Sequence, residues 1–112
     1  MSRKARFVFL DRAAFTADEL PVPACDHTWS EYPSTDAEDV VPRLFWATVA
    51  ITHACALDAA ALAQLHKLER IVITGPAQIA EDVAAARGIA VLRLLGTEDA
   101  GARLIALLDE RE

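Results

Sequence analysis

Residues 47–75 read ATVAITHACALDAAALAQLHKLERIVITG. Two β-branched runs, TVAIT at 48–52 and RIVIT at 70–74, flank a segment with helical spacing. Asp58 stands at the N-cap position, where its side chain can take an orphan backbone N–H. Leu57 just before it and Leu62 inside the helix fit a hydrophobic staple, and Leu62 and Leu65 face the core. Two near-continuous apolar strands with a helix between them pair in parallel through a right-handed crossover. This unit commits the chain to an α/β architecture.

The remaining segments repeat the pattern. Residues 6–10 (RFVFL) form a first strand, apolar enough to be covered on both faces. A short helix is expected within 11–20, with Thr16 as cap and Glu19 three residues on, ended by Pro21 and Pro23. Residues 27–32 alternate loosely and suit a second strand at an edge. TDAE at 35–38 reads as a capping box. The helix after it places Val40, Val41, Leu44 and Phe45 on one face. A helix over 78–87 turns Ile79, Val83 and Ala86 inward, and Gly88 supplies its left-handed C-cap. Residues 89–92 make a fifth strand. A last helix begins at Gly96-Thr97, with Leu104, Ile105, Leu107 and Leu108 as its apolar stripe. The expected fold is a single flavodoxin-like domain over 1–112. It is a three-layer α/β sandwich with a five-stranded parallel sheet in the order 2-1-3-4-5.

At 112 residues, 54% hydrophobic and only 6% aromatic, the chain can bury one core built mainly of Val, Ile, Leu and Ala. Its net charge of −6 disfavours binding to a phosphate backbone, so no nucleic acid is expected. The basic cluster Arg3, Lys4, Arg6 is short and terminal. The apolar run at 7–10 is too short for a signal peptide or a membrane span, so a cytoplasmic location and no membrane contact are expected. Cys25 and Cys55 do not make a disulfide framework and are expected reduced.

Several segments resemble the D-isomer-specific 2-hydroxyacid dehydrogenases, the family of the glycerate and formate dehydrogenases. FLDR at 9–12 is similar to the family's opening strand and turn. WSEYP at 29–33 with TDAED at 35–39 resembles its second strand and helix start. LDAAALAQL at 57–65, RGIAV at 87–91 and GTED at 96–99 resemble its third helix, its fifth strand and the start of its crossing helix. The resemblance covers nearly the whole chain and implies the family's N-terminal substrate domain without the nucleotide-binding domain.

The departures fall at the working end. In the family, the loop after the fourth strand offers backbone N–H groups to the substrate carboxylate. Here that loop runs TGPAQ at 74–78: Gly75 fits, but Pro76 has no N–H. The family's Asn- and Asp-containing continuation becomes Gln78, Ile79 and Ala80. Its catalytic Arg, Glu and His have no counterpart here. Gly75, Gly88, Gly96 and Gly101 do not form a G-x-G-x-x-G. Hydride transfer needs a bound nicotinamide and a positioned acid or base. No cofactor is therefore expected, with NAD entering only if a separate nucleotide-binding domain is supplied.

Ligands of open α/β sheets bind at the carboxyl ends of the strands. That edge gathers Asp11, Arg12, Ser34, Thr52, His53, Thr74, Gly75 and Arg93. The candidate ligand-binding residues are Arg12, His53, Thr74 and Gly75, for a small organic acid. A shared metal site of Cys25, His27, His53 and Cys55 has suitable ligand types. It is disfavoured, because the two pairs fall on well-separated strands. A receiver-domain reading fails, because His53 and Arg93 stand where that family needs Asp and Lys. A flavin reading fails for lack of a phosphate loop.

Three functions follow as expectations. The first is a stand-alone, non-catalytic module with a binding or structural role, expected as a homodimer whose last helix offers the contact. The second is a truncated part of an NAD-dependent 2-hydroxyacid oxidoreductase. The third is a small-anion or 2-hydroxyacid sensor. Phe45 and Trp46 cannot both face one core, which leaves one of them for an interface.

Overall fold

A computed structural model describes residues 5–14 and 27–93. Five strands form one all-parallel sheet in the order β2-β1-β3-β4-β5, as expected. They are β1 (Ala5–Phe9), β2 (His27–Glu31), β3 (Val49–Thr52), β4 (Arg70–Ile73) and β5 (Ala90–Arg93). β2 lies at an edge, with Phe7 opposite Trp29. The rings of that pair meet edge to face at 5.8 Å.

The pairing register sorts the side chains by parity. Val8, Ala50, Ile71 and Val91 stand in one row across the sheet, while Phe9, Ile51, Val72 and Leu92 stand in the row on the other face. Phe7, Val8, Phe9, Ile51, Ile71 and Val72 are all buried, so the central strands are covered on both faces.

Three helices pack on the Val8 face: α1 (Val40–Leu44), α2 (Ala59–Gln64) and α3 (Glu81–Ala86). Val40, Leu44, Leu62 and Ala84 join Val8, Ala50 and Ile71 in one apolar cluster. α2 begins as its sequence demands. Asp58 is extended at φ −85 and ψ 175 and accepts from the Ala61 N–H at 2.8 Å. The staple residues Leu57 and Leu62 are both fully buried. Gly88 follows α3 with φ 75, the left-handed conformation a C-cap glycine supplies.

Three expectations are corrected. The box at 35–38 does not form. A 3-10 turn (Ala37–Asp39) leads into α1, and neither Asp36 nor Asp39 caps through its side chain. The Thr35 hydroxyl instead donates to the buried Leu10 carbonyl at 2.6 Å. Phe45 does not join the apolar face. α1 ends at Leu44, the Ala47 N–H closes the turn on the Leu44 carbonyl at 2.9 Å, and Phe45 is 42% exposed.

α3 starts at Glu81 rather than at residue 78, because the preceding residues are held extended. Ile79 bridges Leu57 in parallel, and the Ala80 N–H bonds the Leu57 carbonyl at 2.9 Å. Within α3 Ala84 is buried, and Ala86, expected inward, is exposed. Of the helix expected within 11–20, a 3-10 turn (Arg12–Ala14) is seen. The rest of that segment and the last helix lie outside the described residues.

Asp58→Ala removes a cap whose geometry is complete. It is expected to cost about 1 kcal/mol. Urea unfolding of the two proteins measures this, and equal midpoints would refute it.

Candidate functional site

The carboxyl ends of β1, β3 and β4 meet at one edge of the sheet, and Asp11 organises them. It lies two residues past the end of β1 and is 7% exposed. One carboxyl oxygen accepts from the His53 N–H at 2.7 Å. The other accepts from the N–H groups of Ala54 at 2.6 Å and Cys55 at 3.1 Å. Three successive N–H groups form an anion-binding concavity of the kind that holds phosphates and carboxylates elsewhere. Here the chain's own side chain fills it. Thr52 closes the same loop by donating from its hydroxyl to the Cys55 carbonyl at 2.8 Å.

The loops after β3 and β4 are tied to each other. The Ala77 N–H bonds the His53 carbonyl, and the Leu57 N–H bonds the Gln78 carbonyl, both at 3.0 Å. The Thr74 N–H continues the ladder onto the Thr52 carbonyl at 2.9 Å. The N–H groups of Thr74 and Ala77 are therefore spent within the fold, and Pro76 has none.

His53 lies over the turn at Gly75. A Cβ placed on Gly75 would sit 2.6 Å from the ring's Cε1 and 2.7 Å from its Nδ1 and Nε2. Nδ1 lies 3.1 Å from the Thr74 hydroxyl. His53, Thr74 and Gly75 are thus brought together as the sequence placed them. Arg12 is directed elsewhere: its Nε lies 3.7 Å from a Glu31 oxygen, at the end of β2. The other Glu31 oxygen accepts from the Trp29 indole N–H at 3.0 Å. Arg93, at the end of β5, pairs with Glu81 at 3.4 Å.

On the β2 side, the Arg43 guanidinium lies 4.0 Å from the centre of the Tyr32 ring. Its Nη1 donates to the Ser34 carbonyl at 2.7 Å and to the Thr35 hydroxyl at 2.8 Å. The Cys55 thiol points at the Thr35 carbonyl, 3.7 Å away. Burial, and then the neighbouring Asp11, push the Cys55 thiol up from its ordinary range. It is a hydrogen-bond donor here rather than a nucleophile. Of the four candidate metal ligands, Cys25 and the side chain of His27 lie outside the described residues. His53 and Cys55 turn to different partners.

The sequence grouped Asp11 with the other polar residues of this edge without singling out its role. The available signal was an acid set directly against a fully apolar strand, where burial obliges it to find donors. Arg43 carried no such signal, since a charged residue on a short amphipathic helix ordinarily reads as solvated surface.

Two predictions follow from this geometry. Gly75→Ala is expected to cost about 1–3 kcal/mol, because the His53 ring must give way. In a His53→Ala background most of that cost should vanish, and a double-mutant cycle in urea measures the coupling; additive costs would refute the packing account. In a Cys25→Ser background, Cys55 should react with iodoacetamide at mildly alkaline pH about tenfold more slowly than glutathione. Equal rates would contradict a protonated, donating thiol.

No family model matches the chain. Comparison with curated proteins finds a Haemophilus influenzae protein described as "Putative 2-hydroxyacid dehydrogenase", 38% identical over 94 residues. The match takes in 81% of this chain and 30% of that protein. No helix among the described residues is long and apolar enough to cross a membrane. The five-stranded parallel α/β fold and this similarity together fit a partial domain of the 2-hydroxyacid dehydrogenase family.

Proposed function

We propose that the chain is a non-catalytic module on the substrate-domain frame of the 2-hydroxyacid dehydrogenases, with a binding or structural role. The observation that carries this reading is the filled concavity after β3. Donors that could receive a substrate carboxylate are bonded to Asp11 at 2.6–3.1 Å. The second loop adds little, with Pro76 lacking an N–H and Ala77 bonded to His53. Hydride transfer to a 2-oxo acid needs a donor cofactor, a charge-stabilising group and a proton source aligned on one carbonyl. Among the described residues at this edge, Arg12 leans to Glu31 and His53 to Thr74, so the two do not converge on one position. In this reading NAD enters only through a separate nucleotide-binding domain.

A second reading, a small-organic-acid sensor, has one observation in its favour. His53, Thr74 and Gly75 do converge, and the His53 ring and the Thr74 hydroxyl are both only partly buried. A small 2-hydroxy or 2-oxo acid would meet them through its hydroxyl or carbonyl oxygen.

The purified protein should not consume NADH with hydroxypyruvate or glyoxylate, and turnover above the buffer rate overturns the non-catalytic reading. Thermal unfolding across a panel of small 2-hydroxy and 2-oxo acids separates the two readings. A midpoint raised by one acid and abolished by His53→Ala establishes the sensor, and no shift with any acid removes it.

A further inference from the structure

In a parallel sheet every strand begins at one edge and finishes at the other, so the two edges can be compared as surfaces. They carry opposite charge. Asp36, Glu38, Glu81 and Asp82 are exposed at the finishing edge, where α1 and α3 begin, and they outnumber Arg12 and Arg93 there, the latter paired with Glu81. Acids in a first helical turn complement the positive end of the helix dipole, so the bias has a local cause. The starting edge gathers Arg6, Lys67, Arg70 and Arg87, with Glu69 as the one carboxylate among the described residues there.

The starting edge also carries the two large hydrophobic residues that are exposed among the described ones. Phe45 is 42% and Trp46 58% exposed. They are held rather than loose. The rings meet edge to face at 5.2 Å, and the Lys67 ammonium stands 5.4 Å from the centre of the Trp46 ring. Large aromatics are enriched at interface centres, and a lysine beside them suits the polar rim. The finishing edge offers exposed small apolar residues among its acids, namely Pro33, Ala54, Ala56 and Pro76. An indole can lie flat against such residues.

We propose that the starting edge docks on the finishing edge of a second copy of this chain, head to tail, with Trp46 at the centre of the contact and Lys67 beside it. The charges disfavour the two symmetric alternatives. Start against start sets basic groups against basic groups, and finish against finish sets acids against acids. Only the head-to-tail orientation brings opposite charges together, against a net charge of −6 that otherwise keeps copies apart. Such a contact is heterologous: each copy uses two different surfaces, and each added copy leaves one of each open.

Sedimentation velocity on the full 112-residue protein tests this. At low salt the mean sedimentation coefficient should rise between about 10 and 500 µM protein, the range that reads a weak contact. Adding about 0.5 M salt should remove most of the rise, since screening then acts within a few ångströms. Lys67→Glu with Trp46→Ser disables the starting edge, and Asp36→Lys with Glu38→Lys disables the finishing edge. Each double variant alone should associate at least about tenfold more weakly than the parent. Their equimolar mixture should form a one-to-one dimer that grows no further, because one intact starting edge meets one intact finishing edge.

Three results would overturn the proposal. One is a monomer at every concentration. Another is a finishing-edge variant that associates as strongly as the parent, which would mean symmetric pairing through the aromatic edge. The third is association that strengthens with salt.

Discussion

The carboxyl group of Asp11 joins the centre of the sheet to its working edge. It sits at the end of β1, the strand between β2 and β3, and its two oxygens take three consecutive N–H groups of the β3 loop. A buried carboxyl group without donors would be strongly disfavoured, so Asp11 requires the N–H groups of the half-exposed loop. Once the loop is fixed, His53 is set over Gly75 and Cys55 is turned toward Thr35. Thr35 in turn bonds the carbonyl of Leu10, the residue just before Asp11. The tie thus closes a ring of contacts through β1, the β3 loop and the approach to α1.

That arrangement sets the chemistry open to the edge. Backbone N–H groups are the donors a parallel α/β fold most readily offers to an anion at this place. An internal carboxyl group that already occupies them leaves side chains as the means of recognition. Those side chains are polar but not strongly cationic toward the centre, since Arg12 leans to Glu31 and Arg93 to Glu81. Exposed acids at the helix starts and two arginines already facing carboxylates leave this edge with an acidic rim among the described residues.

Much of the scaffold was legible in the sequence because each signal was local and independent of its neighbours. The Asp58 cap, the Leu57–Leu62 staple and the left-handed Gly88 need only the few residues around them, and all three stand as read. The parallel sheet followed from the alternation of strands and helices under the right-handed crossover rule, and the order 2-1-3-4-5 from the size of the chain. The failures occurred where a distant partner competed. Thr35 has the chemistry of a cap, but a buried carbonyl on β1 claims its hydroxyl. Ala86 was placed inward on a helix counted from residue 78, but Ile79 is bridged to Leu57 and Ala84 takes the buried position. Asp11 was visible as a polar residue at the right edge, yet its three partners lie more than forty positions away in sequence, where no local pattern reaches.

The same distinction bears on how similarity to the 2-hydroxyacid dehydrogenases should be weighed. A fold is retained through packing, whereas a function resides in a particular site. Gly75 is the test case, because a glycine after β4 is what the resemblance associates with close approach of a substrate. Here it has a sufficient internal reason to be glycine. The His53 ring occupies the space a Cβ would need, within 2.6–2.7 Å. The glycine therefore does not argue for a ligand, and His53 itself becomes the distinguishing residue. It holds the ground above the turn, leaning on Thr74 below and on a loop that Asp11 has already fixed. Any ligand that binds at this turn must do so by engaging or displacing that imidazole.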